Sequence, residues 1–204
     1  MKNIKNIIPV VVFLIIGCSS SKITTSWKEK NTLPIYFDKI MVIGVMRDND
    51  RAMQENMEEH IVGDLKTLGY TALSSLNEYG PNAFKKGDTA NALIKLKQSN
   101  VDGVLTVVLL DKEKEQQYVS ANYKNRFTGY RYEMYQRIYE PGYYVTNTKY
   151  FWESNLYNIK TKQLIYSVQT ESFNPDDAES LAHQYSKLII KNMLKERVIK
   201  NQIK

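Results

Sequence analysis

Residues 39–45 read KIMVIGV, which is a continuous apolar run after its first lysine. Residues 104–110 read VLTVVLL and repeat the pattern. Runs of this length, without polar alternation, are typical of strands that are covered on both faces, as in the parallel part of an α/β sheet. We therefore expect both runs to form inner strands of one sheet.

A helix is predicted to follow the first of these strands. Asp48-Asn49-Asp50 supplies side chains that cap helix N-termini, and Gly69 stands where a glycine ends a helix. Between them the apolar residues form one helical stripe. Its members are Met53, Met57, Ile61, Leu65 and Leu68. We expect residues 70–75 to form a short edge strand and residues 88–100 a second helix.

The C-terminal part predicts a hairpin and a last helix. Residues 148–159 and 163–173 have strand character, and residues 158–162 contain the turn between them. Asn174-Pro175-Asp176-Asp177 favours a helix start, with the asparagine as the cap. The order β-α-β-α-β-β-β-α then predicts an α/β (α+β) fold, in which one mixed β-sheet is packed by helices in a single domain.

The first residues have the pattern of a secretory signal. Lys2 and Lys5 precede an apolar core at residues 7–16, which is too short to span a bilayer, since a spanning helix needs about 20 residues. The only cysteine, Cys18, directly follows Leu14-Ile15-Ile16-Gly17, where bacterial lipoproteins are cut and lipidated. We predict that residues 1–17 are a lipoprotein signal peptide and that Cys18 carries the lipid.

The predicted anchor sets the location. Each buried CH₂ of an acyl chain such as palmitate contributes about 0.8 kcal/mol, and two or more chains give stable attachment. Ser19 after the cysteine favours the outer membrane, and the lack of acids in residues 19–22 favours its periplasmic face. We expect Cys18 and a flexible tether over residues 18–35, followed by a periplasmic α/β domain over residues 36–204.

The charge of the mature chain argues against a nucleic-acid partner. Removing residues 1–17 takes away two lysines and no acids, which leaves 26 basic and 22 acidic residues and a net charge of +4. That value suits contact with anionic headgroups but lacks the dense basic patch of a nucleic-acid binder. The membrane, through the lipid on Cys18, is therefore the first predicted partner.

Catalytic and metal-binding patterns are weak, and the sequence predicts no cofactor, no metal and no catalytic residue. His60 and His183, the two histidines, are expected to be exposed on helices off the main apolar stripe. Asp48-Asn49-Asp50 with Glu55 lacks the full calcium-loop pattern, so helix capping explains these acids better. Glu58 and Glu59 are neighbours that point about 100° apart on a helix, so a solvated face is expected there.

The best functional lead is a tyrosine-rich segment at residues 118–150, with the insertion itself over residues 118–147. Tyrosine offers a rigid contact area with a polar tip, and arginine adds donors and cation–π partners. The segment is either a protruding hairpin that binds a protein, a glycan or another copy, or an insertion that folds back over the domain's own sheet. The candidate interaction residues are Tyr118, Tyr123, Arg126, Tyr130, Arg131, Tyr132, Tyr135, Arg137, Tyr139, Tyr143 and Tyr144.

Several stretches together resemble a family of uncharacterised bacterial lipoproteins. They are Ser26-Trp27-Lys28, Val42-Ile43-Gly44, Arg51 with Glu55, residues 156–161, residues 164–167 and Glu171-Ser172-Phe173-Asn174-Pro175. The resemblance covers nearly all of the mature chain. It implies a fold similar to the N-terminal domain of TolB and to the periplasmic part of CsgG-like lipoproteins. It implies no activity and no catalytic residue.

The sequence thus predicts a lipid-anchored outer-membrane lipoprotein that is not an enzyme and acts as a binding module in the periplasm. Its partner would be an envelope protein or a glycan. One alternative is an envelope enzyme or small-ligand binder with a cleft on the sheet. Another is a self-assembling lipoprotein that forms oligomers through the tyrosine-rich segment.

Overall fold

The computed structural model describes residues 21–30, 34–81, 83–84, 89–119 and 143–203. Its strands are β1 (Ser21–Lys28), β2 (Lys39–Val45), β3 (Thr71–Ser74), β4 (Gly103–Val119), β5 (Tyr143–Asn158) and β6 (Gln163–Phe173). Its helices are α1 (Arg51–Thr67), α2 (Ser75–Tyr79), α3 (Thr89–Gln98) and α4 (Ala178–Lys195), and a 3₁₀ turn (Asp48–Asp50) precedes α1. The predicted signal peptide and Cys18 lie outside the described residues.

The six described strands form one mixed sheet in the order β1-β6-β5-β4-β2-β3. β2 runs parallel to both β3 and β4, whereas β4, β5, β6 and β1 pair antiparallel in turn. The predicted α/β class with a mixed sheet and packed helices is therefore confirmed.

One face of the sheet carries the main core, under α1 and α4. The predicted α1 stripe is buried at Met57, Ile61 and Leu65, and Met53 and Leu68 pack against the core from its margin. The sheet contributes Trp152 and α4 contributes Tyr185, both fully buried, and their rings lie 5.6 Å apart. Trp152 and Tyr185 are among the largest side chains that the described residues bury completely.

A smaller core lies on the opposite face of the parallel strands. Met41 and Ile43 of β2 face it, together with Leu96 of α3 and Val104 of β4. Ile40 and Val42, the alternate residues of β2, belong to the main core. Burial on both faces explains why the sequence of this strand shows no polar alternation.

Two elements were not expected from the sequence. Residues 21–28 were predicted to be part of a tether, but they form edge strand β1, which pairs antiparallel with β6. Cross-strand contacts hold it there: the Ser21 and Ser172 hydroxyls lie 2.7 Å apart, and Lys22 pairs with Glu171 at 3.2 Å. The short helix α2 follows β3 directly, because the Ser74 hydroxyl accepts from the Asn77 amide as an N-cap.

The predicted helix caps also need correction. Asp48 and Asp50 make no side-chain cap at α1, since Asp48 pairs with Arg51 at 3.0 Å and Asp50 lies 3.7 Å from Lys112. At α4 the cap is Asp177, which accepts from the Ser180 amide at 2.7 Å, and not the predicted Asn174. Among the residues that the structure describes, no helix has the length and apolarity needed to cross a bilayer.

Candidate functional site

The two longest strands continue past the sheet as a two-stranded ribbon. β2 pairs with β4 only as far as Val45 opposite Val108, and β6 pairs with β5 only as far as Phe173 opposite Lys149. Beyond these points residues 114–119 and 143–148 pair with each other, up to Tyr118 opposite Tyr144 and Val119 opposite Tyr143. We call these two segments the ribbon. At about 3.4 Å per residue its six residue pairs extend roughly 20 Å.

A strand irregularity and a charged stretch mark the point where the ribbon leaves the sheet. A register irregularity lies between Leu109 and Asp111, and bulges of this kind bend a strand and increase its twist. Residues 111–118 are all exposed, so both faces of this arm meet solvent. The prediction that the strand ends near residue 110 was therefore wrong, because pairing with β5 continues the strand through a charged stretch that buries nothing.

Tyrosines mark the far end of the described ribbon. Tyr118, Tyr143 and Tyr144 are 53%, 63% and 69% exposed, and the rings of Tyr118 and Tyr144 meet edge to face at 5.2 Å. At the other end, the Lys112 ammonium lies 5.1 Å from the ring centroid of Tyr150. The ribbon thus joins the core at a cation–π contact and carries its aromatic side chains away from it.

The structure places three of the predicted interaction residues on this ribbon, namely Tyr118, Tyr143 and Tyr144. The others lie outside the described residues: Tyr123, Arg126, Tyr130, Arg131, Tyr132, Tyr135, Arg137 and Tyr139. The described arms extend from the sheet, so the part of the segment that can be placed forms a protrusion.

Glu58 was predicted to lie on a solvated helix face, and this prediction was wrong. Its side chain is fully buried, while Glu59 beside it is exposed. One carboxylate oxygen accepts from the Gly44 amide, the Gln54 amide group and the Ser75 hydroxyl at 2.8–3.0 Å. The other accepts from the Ser74 hydroxyl at 2.6 Å and the Leu76 amide at 2.9 Å. These five donors join α1, the end of β2 and the start of α2 through one side chain.

No local sequence signal distinguishes Glu58 from Glu59. The donors come from three separate segments of the chain, and only their packing around α1 brings them to one point. Gly44 allows the close approach, because an added Cβ would lie 2.6 Å from Gln54 Cγ and 3.1 Å from a Glu58 oxygen.

A cleft of about 400 Å³ opens beside Gly44. It lies at the C-terminal end of β2, where open α/β sheets commonly bind ligands. Arg51, Asp48 and Ser75 line it, with Met46 and Phe84 as apolar walls. Its ionisable groups are paired, because one Arg51 nitrogen lies 3.0 Å from Asp48 and another donates to the Pro81 carbonyl at 3.4 Å.

A second cleft, of about 510 Å³, lies at the opposite end of the parallel strands. Asp102 is buried there and accepts from the amides of Asp38 and Lys39 at 3.1 and 3.0 Å. The Lys160 ammonium donates to the Asp102 carboxylate at 3.1 Å, and this hydrogen bond raises the pKa of the Lys160 ammonium. Asp102 thus holds together the chain segments at the start of β2 and after β5. Lys97 and Lys162 lie on the rim of this cleft.

The two histidines lie close together in the structure, although they share no motif in the sequence. His60 on α1 and His183 on α4 place their rings 5.3 Å apart, and His60 Nε2 lies 2.8 Å from a Glu179 oxygen. His183 is exposed, as predicted, whereas His60 is partly covered. Within the described ranges no group of three or more His, Cys, Asp or Glu residues is arranged to hold a metal ion.

Two core tyrosines and one carboxylate have pKa values that their surroundings shift. Burial raises the pKa of the Tyr185 phenol, whose oxygen lies 2.8 Å from the Ser154 hydroxyl. Burial also raises the pKa of Tyr166, which donates to Asn192 Oδ1 at 2.6 Å. Hydrogen bonds from Gln169 and Asn155 lower the pKa of the Glu153 carboxyl. The tyrosines are core groups held neutral, so they offer no accessible acid or base.

Comparison with known proteins gives distant structural likenesses. No family model matches the chain, and no curated protein matches it either. The PelC dodecamer from Paraburkholderia phytofirmans matches 87% of this chain and 99% of that chain, with 12% identity and a TM-score of 0.46. Lipoprotein GNA1162 from Neisseria meningitidis matches 77% of this chain and 98% of that chain, with 9% identity and a TM-score of 0.43.

A third likeness is to a neuraminyllactose-binding hemagglutinin homolog from Helicobacter pylori. It matches 83% of this chain and 87% of that chain, with 10% identity and a TM-score of 0.33. All three TM-scores lie below 0.5, so these likenesses carry no argument about what this chain does. The resemblance to TolB and CsgG-like proteins stays a prediction from the sequence.

Proposed function

We propose that this protein is a lipid-anchored binding module of the bacterial envelope that acts without catalysis and uses the ribbon as its contact surface. The observation that carries the proposal is the geometry of the ribbon, whose β4 arm is exposed from residue 114 to residue 118 and whose far end carries exposed tyrosines. Tyrosine is enriched at contact surfaces because its ring buries a large area while its hydroxyl stays hydrogen-bonded.

The energetics of the ribbon support a partner. A two-stranded ribbon is at best marginally stable in water by itself. Within the described ranges, the outward edges of residues 114–117 and 144–147 pair with no further strand. Open edges accept an added strand through main-chain hydrogen bonds. They therefore favour a polypeptide over a glycan as the occupant.

The proposed location rests on the N-terminal sequence. The short apolar core and the single cysteine at position 18 support removal of residues 1–17 and lipidation of Cys18. Ser19 supports the outer membrane, and the acid-free start of the mature chain supports its periplasmic face. Intact-mass measurement of protein extracted from membranes tests this step, because an unmodified thiol at Cys18 contradicts it.

The binding function is tested by removing the ribbon at its base. Glu113 and Lys149 are direct partners across β4 and β5, so residues 114–148 can be replaced by an Asn-Gly turn that closes the shortened hairpin. The shortened protein should keep the circular dichroism spectrum and cooperative unfolding of the full chain. It should also lose the crosslinked partner that mass spectrometry finds with the full chain in cells.

The matched control alters the opposite end of the sheet. Lys162→Ala changes an exposed residue in the β5–β6 turn and should leave crosslinking as it is in the full chain. Recovery of the same partner in equal yield from the shortened protein would overturn the ribbon as the contact surface.

A second candidate function, binding of a small anionic ligand, is favoured by the cleft beside Gly44. Its place at the end of a parallel strand and its arginine suit a carboxylate or phosphate group. A ligand would have to displace Asp48 from Arg51. Asp48→Asn should then strengthen binding of inorganic phosphate or citrate in a thermal-shift titration. If neither ligand shifts the melting temperature of the parent or of the Asp48→Asn variant, this candidate is removed.

A further inference from the structure

One end of the sheet carries both the start of β1 and the base of the ribbon. Ser21 is opposite Ser172, which is opposite Tyr150, which is opposite Lys112. These four residues form one row of cross-strand partners. The chain enters the sheet at Ser21, and in the same row β4 leaves the sheet at Lys112 and β5 enters it at Tyr150. The N-terminal attachment and the ribbon therefore belong to the same end of the molecule.

The link between the lipid and the sheet is short. Cys18 precedes Ser21 by three residues, and three residues span at most about 11 Å when fully extended. The sequence predicts a tether over residues 18–35, but β1 takes residues 21–28 of that stretch into the sheet and leaves only residues 18–20 before it. With the lipid on Cys18, the Ser21 end of the sheet is held close to the headgroups.

The ribbon reaches at least as far as this link. From the row of Tyr150 and Lys112, the pair Tyr118–Tyr144 lies six residues further along, or about 20 Å. Neighbouring strands twist by about 20–25°, so β5, two strands from β1, diverges from it by roughly 45°. The component of the ribbon along β1 is then about 14 Å, which exceeds the reach of the link.

From this juxtaposition we propose that the tip of the ribbon, Tyr118, Tyr143 and Tyr144, rests in the headgroup layer of the same bilayer that holds the Cys18 lipid. The inference builds on the lipidation of Cys18 in the proposed function and adds a second, non-covalent contact with the membrane. Tyrosine is enriched at bilayer surfaces because its ring enters the apolar boundary while its hydroxyl stays with water and headgroups.

The charges of the described ribbon fit this position. Lys112 and Glu113 at the base of the ribbon and Lys114 and Glu115 within it alternate in sign along β4, so this arm offers no net attraction to anionic lipid. Contact by the tyrosine tip should therefore depend little on salt and little on the anionic fraction of the bilayer. Proteins bound at a membrane by basic patches behave in the opposite way.

The test uses the full lipoprotein, purified from membranes and reconstituted into vesicles of phosphatidylethanolamine and phosphatidylglycerol. The lipid occupies Cys18, so one added cysteine is the only site for a spin label. Tyr143→Cys places the label at the tip and leaves the Tyr118–Tyr144 ring contact in place. Lys162→Cys places it at the opposite end of the sheet as the matched control.

The measured quantity is the collision rate of each label with a water-soluble nickel complex. In vesicles the collision rate of the tip label should be at least threefold lower than that of the control label. After the labelled protein is digested to peptides without detergent, the two labels should have equal collision rates. The tip label should keep its low accessibility in 0.5 M salt. Equal accessibility of the two labels in vesicles would overturn the inference and leave ribbon-dependent partner crosslinking standing.

Two further outcomes separate the causes. Shielding of the tip that disappears when the protein is diluted tenfold across the vesicles would show contact between copies, and it would overturn the bilayer contact. Failure of the protein to sediment with vesicles, together with an unmodified Cys18 mass, would overturn both the proposed anchor and this inference.

Discussion

Replacing Glu58 by glutamine should destabilise the domain far more than the same change at Glu59. The two residues are neighbours on α1 with the same chemistry, but Glu58 is fully buried and accepts five hydrogen bonds. Glu59 is exposed, and the Asn77 amide group approaches its carboxylate only to 3.5 Å. The pair therefore isolates the effect of the buried site.

The size of the effect follows from counting acceptors. Glutamine fits the same space but offers one acceptor oxygen, and its amide nitrogen would face the Ser74 hydroxyl and the Leu76 amide. The hydroxyl can rotate to accept, but the Leu76 N–H is left without an acceptor, which costs about 1–3 kcal/mol. The other donors lose a charged acceptor, and the lower cost of burying a neutral group offsets part of that loss. We expect Glu58→Gln to lower the free energy of unfolding by about 2–4 kcal/mol in total.

The assay is urea unfolding of the chain from Ser19 onward, followed by tryptophan fluorescence, which changes as the buried Trp152 becomes exposed. Glu58→Gln should lower the midpoint with an unchanged slope, and the corresponding drop in melting temperature should be about 5–15 °C. Glu59→Gln should stay within about 0.5 kcal/mol of the parent. Equal midpoints for the two variants would show that the five contacts contribute no net stability, and the reasoning would fail.

Two further predictions concern glycine positions and pH. Gly44→Ala should destabilise the domain by about 1–3 kcal/mol, because the new methyl would lie 2.6 Å from Gln54 Cγ. Gly63→Ala in α1 should stabilise it by about 0.5–1 kcal/mol, because nothing lies within 4 Å of its Cβ position. The same urea titration measures both variants, and stability changes of equal sign would contradict the prediction. Burial raises the pKa of Tyr185 and Tyr166 above the ordinary value of 10.0, so above pH 10 the unfolded chain loses protons that the folded chain keeps, and stability should fall as pH rises. Tyr185→Phe should flatten that fall between pH 9 and 11, and an unchanged slope would show that Tyr185 does not contribute to it.

The candidate site could be predicted from the sequence only in outline. The density of tyrosines between residues 118 and 150 predicts a contact segment, and Tyr118, Tyr143 and Tyr144 are exposed at the end of the ribbon. The paired length of β4 and β5 was not predictable, because the charged residues 111–117 show no burial pattern. Pairing with β5, which lies far along the chain, keeps residues 111–117 in a strand.

The sequence by itself determined the elements whose pattern repeats locally. The apolar runs of β2 and β4, the stripe of α1 and the turn at Asn158–Lys162 all appear where the residues predict them, because each reports burial or turn geometry within a few residues. Gly69, with φ at +90°, likewise ends α1 where its conformational freedom is needed.

Tertiary structure alone decided the features that need partners far apart in the chain. β1 is a strand because β6, some 150 residues later, offers it an edge, and Glu58 is buried because three segments converge on one turn of α1. The same pairing brings Ser21 into the row where the ribbon begins. Hydrogen-bond partners of this kind leave no periodic trace in the sequence, since what selects them is the position of the other chain segment and not the residue's own neighbours.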